Sequence, residues 1–209
     1  MDNNSWKTKP TDRFVLKWIK LNLSARITPR LLAWPWLSPR MITISSALLG
    51  LLAGLVFALG AGWLAGIIAA AAQVLDGVDG QYARLTDRVS KGGAFWDSVL
   101  DRYADGALVI GLVVYLIRLP LPLPPGILIF LGSLALIGSN LVSYSSARAE
   151  TLGLEFGPPT LASKGTRASV MILSAFFSFI WSGLPVVALV YLVIHPNATV
   201  MMRLMKTLD

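Results

Sequence analysis

No cysteine occurs anywhere in the 209 residues. That excludes disulfides, thiolate metal sites and a cysteine nucleophile, and leaves the compartment open. Charge is scarce as well: 14% of residues are charged against 55% hydrophobic, far from the balance of an ordinary soluble domain. Among the charges, acids are the rarer sign, 11 against 18 basic residues. No internal repeat and no low-complexity domain stand out. A cleavable signal peptide is not expected, because the N-terminus is polar, basic and aromatic rather than a short apolar run.

What the chain has instead is long apolar runs. Six of them, about 42–60, 62–83, 95–117, 125–147, 161–182 and 184–206, approach the length needed to cross a hydrocarbon core of roughly 30 Å. The expectation is an all-α integral membrane protein with six transmembrane helices. With both termini cytoplasmic, every Lys and Arg except Arg118 falls on the cytoplasmic side or its border, as the positive-inside bias requires. The net charge of +7 then reads as topology and contact with anionic lipid heads, not as nucleic-acid binding. A cytoplasmic-membrane location with the active site facing the cytoplasm follows.

Residues 1–37 form the expected cytoplasmic N-terminal part and 38–209 the transmembrane domain. Residues 1–10 are expected to be disordered. TDRFVLKWIKLN, from Thr11, puts Phe14, Val15, Trp18 and Ile19 on one stripe and Arg13, Lys17 and Lys20 on other faces, which predicts an amphipathic helix in the interface plane. Ser38-Pro39 offers an N-cap and first-turn proline for the first span. Gly60-Ala61-Gly62 makes a tight hairpin, and Pro196 predicts a kink in the last span. His195, the only histidine, stands far in sequence from the acids, and the Asn197 sequon falls within a span. Trp34, Trp36 and Trp63 read as interface anchors.

The unusual feature is where the few acids stand. Asp76, Asp79, Gly80, Ala83 and Arg84 recur at one helical stripe, and so do Gly93, Asp97, Asp101 and Asp105. The loop LTDRVSKGG lets the two helices return antiparallel, with their acidic stripes facing at the membrane border. Carboxylates crowded in such a place remain ionised only with cations among them. All-oxygen ligands favour Mg²⁺ or Mn²⁺ over zinc, and two such ions suit displacement at phosphorus. The small residues leave room for a ligand to approach the backbone. Arg84 supplies a phosphate-directed fork.

Asp76-Gly-Val-Asp79-Gly80-Gln-Tyr-Ala83-Arg84, followed after eight residues by Gly93-Ala-Phe-Trp-Asp97-Ser-Val-Leu-Asp101, resembles in full the signature of the CDP-alcohol phosphotransferases. The resemblance implies that a CDP-alcohol donor is attacked at its β-phosphorus by the hydroxyl of a second alcohol and that CMP leaves. It implies two Mg²⁺ or Mn²⁺ ions per active site held by Asp76, Asp79, Asp97 and Asp101, with Asp76 and Asp97 bridging and Asp101 also the base. Pro39, Thr43, Gly80, Ala83, Arg84, Ser90 and Gly93 resemble the nucleotide contacts, although Arg40 stands where the family often has Asn. It also implies a homodimer, for which Gly106, Gly111, Gly132 and Gly138 would permit close helix approach.

The acceptor is less defined. Arg148, Lys164 and Arg167 lie at the cytoplasmic ends of the fourth and fifth spans, where they could hold a phosphate on the incoming alcohol or simply anchor the helices. SYSSARAE and KPTDRFVLKWI resemble the inositol-phosphate branch, but Ser146 stands where its phosphatidylinositol-phosphate synthases carry Lys, and KGTR replaces their Arg-Glu-Arg-like run. A CDP-diacylglycerol donor, a CDP-inositol donor with a soluble inositol-phosphate acceptor, and a glycerol-phosphate or other acceptor all fit. A membrane cation transporter would place acids near mid-bilayer on broken helices; here they cluster at one end.

Overall fold

The computed structural model describes residues 6–8, 14–157 and 161–207. Thr11–Arg13 of the expected amphipathic segment, and most of the N-terminal ten residues, lie outside them. The described residues are helical, without strands: α1 (Phe14–Ile19), a π-helical turn (Lys20–Ser24), α2 (Ala25–Leu31), α3 (Pro39–Ala58), α4 (Gly62–Leu85), α5 (Lys91–Ile117), α6 (Pro125–Leu152), α7 (Lys164–Phe176) with a short 3₁₀ turn (Phe177–Phe179), and α8 (Leu184–Met205).

Among the described residues, three helices are long and apolar enough to cross a membrane by length and composition: α3, α6 and α8. The apolar runs predict six. The other three differ for visible reasons. At 24 and 27 residues, α4 and α5 have the length, but each carries its acidic stripe within the helix. The fifth apolar run gives only the 13 residues of α7 before the backbone tightens. The expected first cap is present: the Ser38 hydroxyl accepts from the Met41 amide at 3.3 Å, with Pro39 in the first turn. The hairpin at Gly60 is closed by a positive φ of 98°, open to glycine at little cost. α8 continues through Pro196 as one helix.

The packing differs from the simple antiparallel pair expected of the two motif helices. α3 lies along both α4 and α5. Backbone meets backbone there: a Cβ on Gly54 would lie 2.4 Å from the Ala107 carbonyl oxygen, and one on Gly111 would lie 2.2 Å from that of Gly54. α7 covers α4, and α6 pairs with α8. Phe57, Leu112, Leu116, Leu128, Leu189 and Leu192 fill the centre, with the Phe57 and Tyr115 rings 5.0 Å apart. The glycines expected to serve a dimer face inward instead: Gly111 abuts Gly54, Gly132 abuts Val113, Gly138 abuts Asn197, and Gly106 approaches Leu136. Asn197 is held between α6 and α8, donating to the Leu134 and Val193 carbonyls at 3.1 and 2.8 Å.

The N-terminal elements bury polar residues as well as apolar ones: Leu16 meets Gly165, and Ile27 and Leu31 pack on the Ile42, Val78 and Tyr82 cluster. Val15, Trp18, Leu21 and Leu23 point outward, whereas Lys20, Ser24 and Thr28, spaced four apart, are buried. Lys20, expected off the apolar stripe, is buried: its stem crosses Gly77, and Ser24 donates to the Val74 carbonyl at 2.8 Å. Ser24 and Lys20 dock on α4, while Val15, Trp18, Leu21 and Leu23 share the outer surface with Lys17, Arg26 and Arg30.

Candidate active site

Each acid is placed by its turn of helix. Asp76 and Asp79 stand on α4, one turn apart; Asp97, Asp101 and Asp105 descend α5 at successive turns. Asp76, Asp97 and Asp101 each present a carboxylate oxygen, all within 4.8 Å of one another. Asp79 is not in that group. Its carboxylate accepts from the Thr43 hydroxyl at 2.6 Å and from the amide of Gly80, so α3 and its own helix orient it.

A positive charge already lies between two of these acids. The Lys164 ammonium, at the first residue of α7, is 3.0 Å from Asp76 Oδ1 and 2.6 Å from Asp101 Oδ2. Gln73 donates to the other Asp76 oxygen at 3.3 Å. Deeper, Asp105 lies between Arg102 at 3.4 Å and Arg167 at 4.0 Å. Arg167 is almost fully buried, hydrogen-bonded to the Ala162 carbonyl and 3.5 Å from Ser143 Oγ. Of the three residues considered for an acceptor phosphate, the structure therefore brings Lys164 to the acids and Arg167 to Asp105. Arg148 is exposed on α6 and its side chain joins neither.

Beside the acids opens a cavity of about 330 Å³. Its walls include every residue expected to contact a nucleotide: Pro39, Thr43, Gly80, Ala83, Arg84, Ser90 and Gly93. Asp79 and Asp97 form its acid-facing side, and Arg40 and Arg88 also line it. Ser90 additionally caps α5, accepting from the Gly93 amide at 3.0 Å, so the same hydroxyl starts the helix that carries the acids. The terminal nitrogens of Arg84 lie over Gly80, 3.4 and 3.9 Å from where a Cβ would stand. Arg88 is a wall residue that the motif spacing does not point to; its cue is a basic residue in the short link between the motif halves. Gln73 has a cue too, a polar residue inside an apolar run one turn before Asp76.

An all-oxygen donor set of this size fits a hard divalent cation, and the Lys164 ammonium shows that the cluster accommodates positive charge. Acids next to a cleft with several guanidinium groups suit transfer of a phosphate-containing group. The class is thus a phosphate-group transferase built on apolar helices. The profile of CDP-alcohol phosphatidyltransferases matches residues 36–202, and the chain belongs to that family, whose members transfer substituted phosphate groups. Archaetidylinositol phosphate synthase of Pyrococcus horikoshii is 36% identical over 154 residues, 73% of this chain and 77% of that protein. The bifunctional IPC transferase and DIPP synthase of Thermococcus kodakarensis is 36% identical over 137 residues, 66% of this chain but 30% of that protein. The fold resembles the crystal structure of Mycobacterium tuberculosis phosphatidylinositol phosphate synthase with CDP-DAG bound, with a TM-score of 0.76 at 24% identity, covering 87% of this chain and 92% of that one. The same enzyme in complex with manganese and citrate gives a TM-score of 0.75 at 24% identity, covering 87% of each chain.

Proposed function

We propose that the enzyme joins a CDP-activated lipid to a phosphorylated inositol and releases CMP. The observation that carries this reading is the meeting of Asp76, Asp97 and Asp101 within 4.8 Å, next to a cavity of about 330 Å³ lined by the motif residues. A similar relative synthesises archaetidylinositol phosphate by name, and the similar crystal structure holds CDP-DAG. The bifunctional relatives, matched over a smaller share of their length, favour the second reading, a CDP-inositol donor with a soluble acceptor.

In this reading Asp76, Asp79, Asp97 and Asp101 hold two Mg²⁺ or Mn²⁺ ions, with Asp79 oriented by Thr43. When bound, the ions neutralise charge on the diphosphate and on the attacking and leaving oxygens. Arg84, Gly80, Ser90 and Gly93 receive the nucleotide in the cavity, joined by Pro39, Thr43 and Ala83. Asp101 takes the proton of the acceptor hydroxyl; the hydroxyl oxygen bonds to the β-phosphorus, and the bond from the β-phosphorus to the oxygen bridging to the α-phosphorus breaks, leaving CMP with the electron pair. Lys164 and Arg167 attract the acceptor's phosphate from the α7 side. The chain spans the membrane six times, through α3 to α8, with both termini and the site facing the cytoplasm. Residues 38–209 form the catalytic domain behind an interfacial N-terminal part.

The deciding assay crosses CDP-diacylglycerol and CDP-inositol with inositol phosphate and glycerol phosphate, following CMP. Release is expected with the lipid donor and inositol phosphate in Mn²⁺ or Mg²⁺, absent in EDTA and restored by either ion. Full activity in metal-free buffer, or turnover of CDP-inositol alone, would overturn the reading.

A further inference from the structure

Gln81 lies between the acids and Arg84 on α4, at a position the signature leaves open. It is completely buried, and an uncharged polar side chain in such a place must find partners for both ends of its amide. It does so entirely on the N-terminal part of the chain. Its Nε2 donates to the Lys7 carbonyl at 2.7 Å and the Lys20 carbonyl at 2.9 Å, while its Oε1 accepts from the Thr28 hydroxyl at 2.7 Å. Two carbonyls on one nitrogen fix which end of the amide is which.

One turn further along α4, Arg84 grips the same strand of backbone: its Nε donates to the Trp6 carbonyl at 2.7 Å. Gln81 and Arg84, spaced i and i+3, thus hold two successive carbonyls, those of Lys7 and Trp6. Tying Nε to Trp6 restricts the rotation of the guanidinium and leaves its terminal nitrogens over Gly80, on the cavity wall. A flexible arginine would lose rotational freedom on every approach of the ligand; a strapped one has lost it already.

We propose that Gln81 is a positioning residue for donor binding: it locks the Trp6–Lys7 segment onto α4, and that segment aims Arg84 at the diphosphate of the donor. The inference rests on the nucleotide reading of the cavity but assigns it a further part, a stretch of backbone far away in sequence. Gln81 itself touches no reactant.

The test is titration of CDP, with Mn²⁺ present, into the purified full-length protein in detergent. It compares the wild type with Gln81→Met, Arg84→Gln, the double variant, and a chain lacking residues 1–8. Gln81→Met keeps the volume and removes both donors. Loss of a hydrogen bond that orients a charged group predicts about tenfold weaker CDP binding. The chain lacking residues 1–8 should show the same loss, and stands in for Gln81→Met if that variant does not fold. In the Arg84→Gln background, Gln81→Met should cost nothing more, whereas a merely structural defect would lower affinity in both backgrounds. Unchanged CDP affinity in Gln81→Met or in the shortened chain, or losses that multiply in the double variant, would overturn the inference while leaving the nucleotide reading intact. Failure of the wild type to bind CDP would remove that reading, and this one with it.

Discussion

Asp97 and Asp101 stand one turn apart on α5, yet they face different neighbours. Asp97 lines the cavity proposed for the nucleotide, whereas Asp101 turns to Lys164 at 2.6 Å and Arg102 at 3.7 Å. Asp101→Asn is therefore expected to lower turnover by roughly 10²–10⁴ while CDP affinity changes little, because a general base is lost and the cavity wall is not. Asp97→Asn should damage both. Donor titration beside CMP release for each variant checks this, and near-normal turnover in Asp101→Asn would place the base elsewhere. In the proposed reading Lys164 serves the acceptor side, next to Asp76 and Asp101. Removing one charged contact to a phosphate, in Lys164→Met, should raise the KM for inositol phosphate about ten- to a hundredfold with little change in CDP affinity. Equal losses for both substrates would refute a role specific to the acceptor. At this scale the acids are legible in the chain because carboxylates striped along an apolar segment are costly unless something there uses their charge. Lys164 between Asp76 and Asp101 is not: it is 88 residues from one of its partners, and helical spacing reports only neighbours on the same helix. Gln81 escapes for a similar reason, since its partners are mostly backbone carbonyls and any residue could have supplied them.

The helices themselves follow from apolar run length and capping residues. The ends of α3, α4, α5 and α8 lie within a few residues of the expected spans, and Ser38-Pro39 starts α3 as capping chemistry requires. Their arrangement is not legible. Small residues on α3 and α5 permit a close approach, but they do not say whose backbone approaches, and the glycines that suggest a partner subunit meet α3, α5, α6 and α8 of the same chain. The Gly54–Gly111 contact makes a direct prediction. Gly111→Ala would set a methyl 2.2 Å from the Gly54 carbonyl oxygen, forcing α3 and α5 apart at a cost of about 1–3 kcal/mol. Gly126→Ala, with nothing within 4 Å of the added methyl, should cost no stability by this route. Thermal unfolding in detergent distinguishes them, and equal midpoints would show that the helix contact is looser than its geometry.

For the whole molecule, the missing cysteines become an experimental advantage. Single cysteines at Leu154, between α6 and α7, and at Leu123, between α5 and α6, are the only thiols such variants would carry. A membrane-impermeant maleimide should label Leu154→Cys only from the cytoplasmic face and Leu123→Cys only from the opposite one. Labelling of both from one side would end the six-span topology. The shortness of α7 bears on the membrane itself. Its 13 residues and the 3₁₀ turn of three that follows span about 26 Å, short of a typical hydrocarbon thickness of roughly 30 Å, and Phe179, Ile180 and Trp181 at its far end are exposed. In the six-span reading, lipids along that flank are expected to thin to meet it. Vesicles with shorter acyl chains should therefore support faster turnover than vesicles with longer acyl chains of the same headgroup composition, and equal turnover in both would show that the shortness of α7 does not matter.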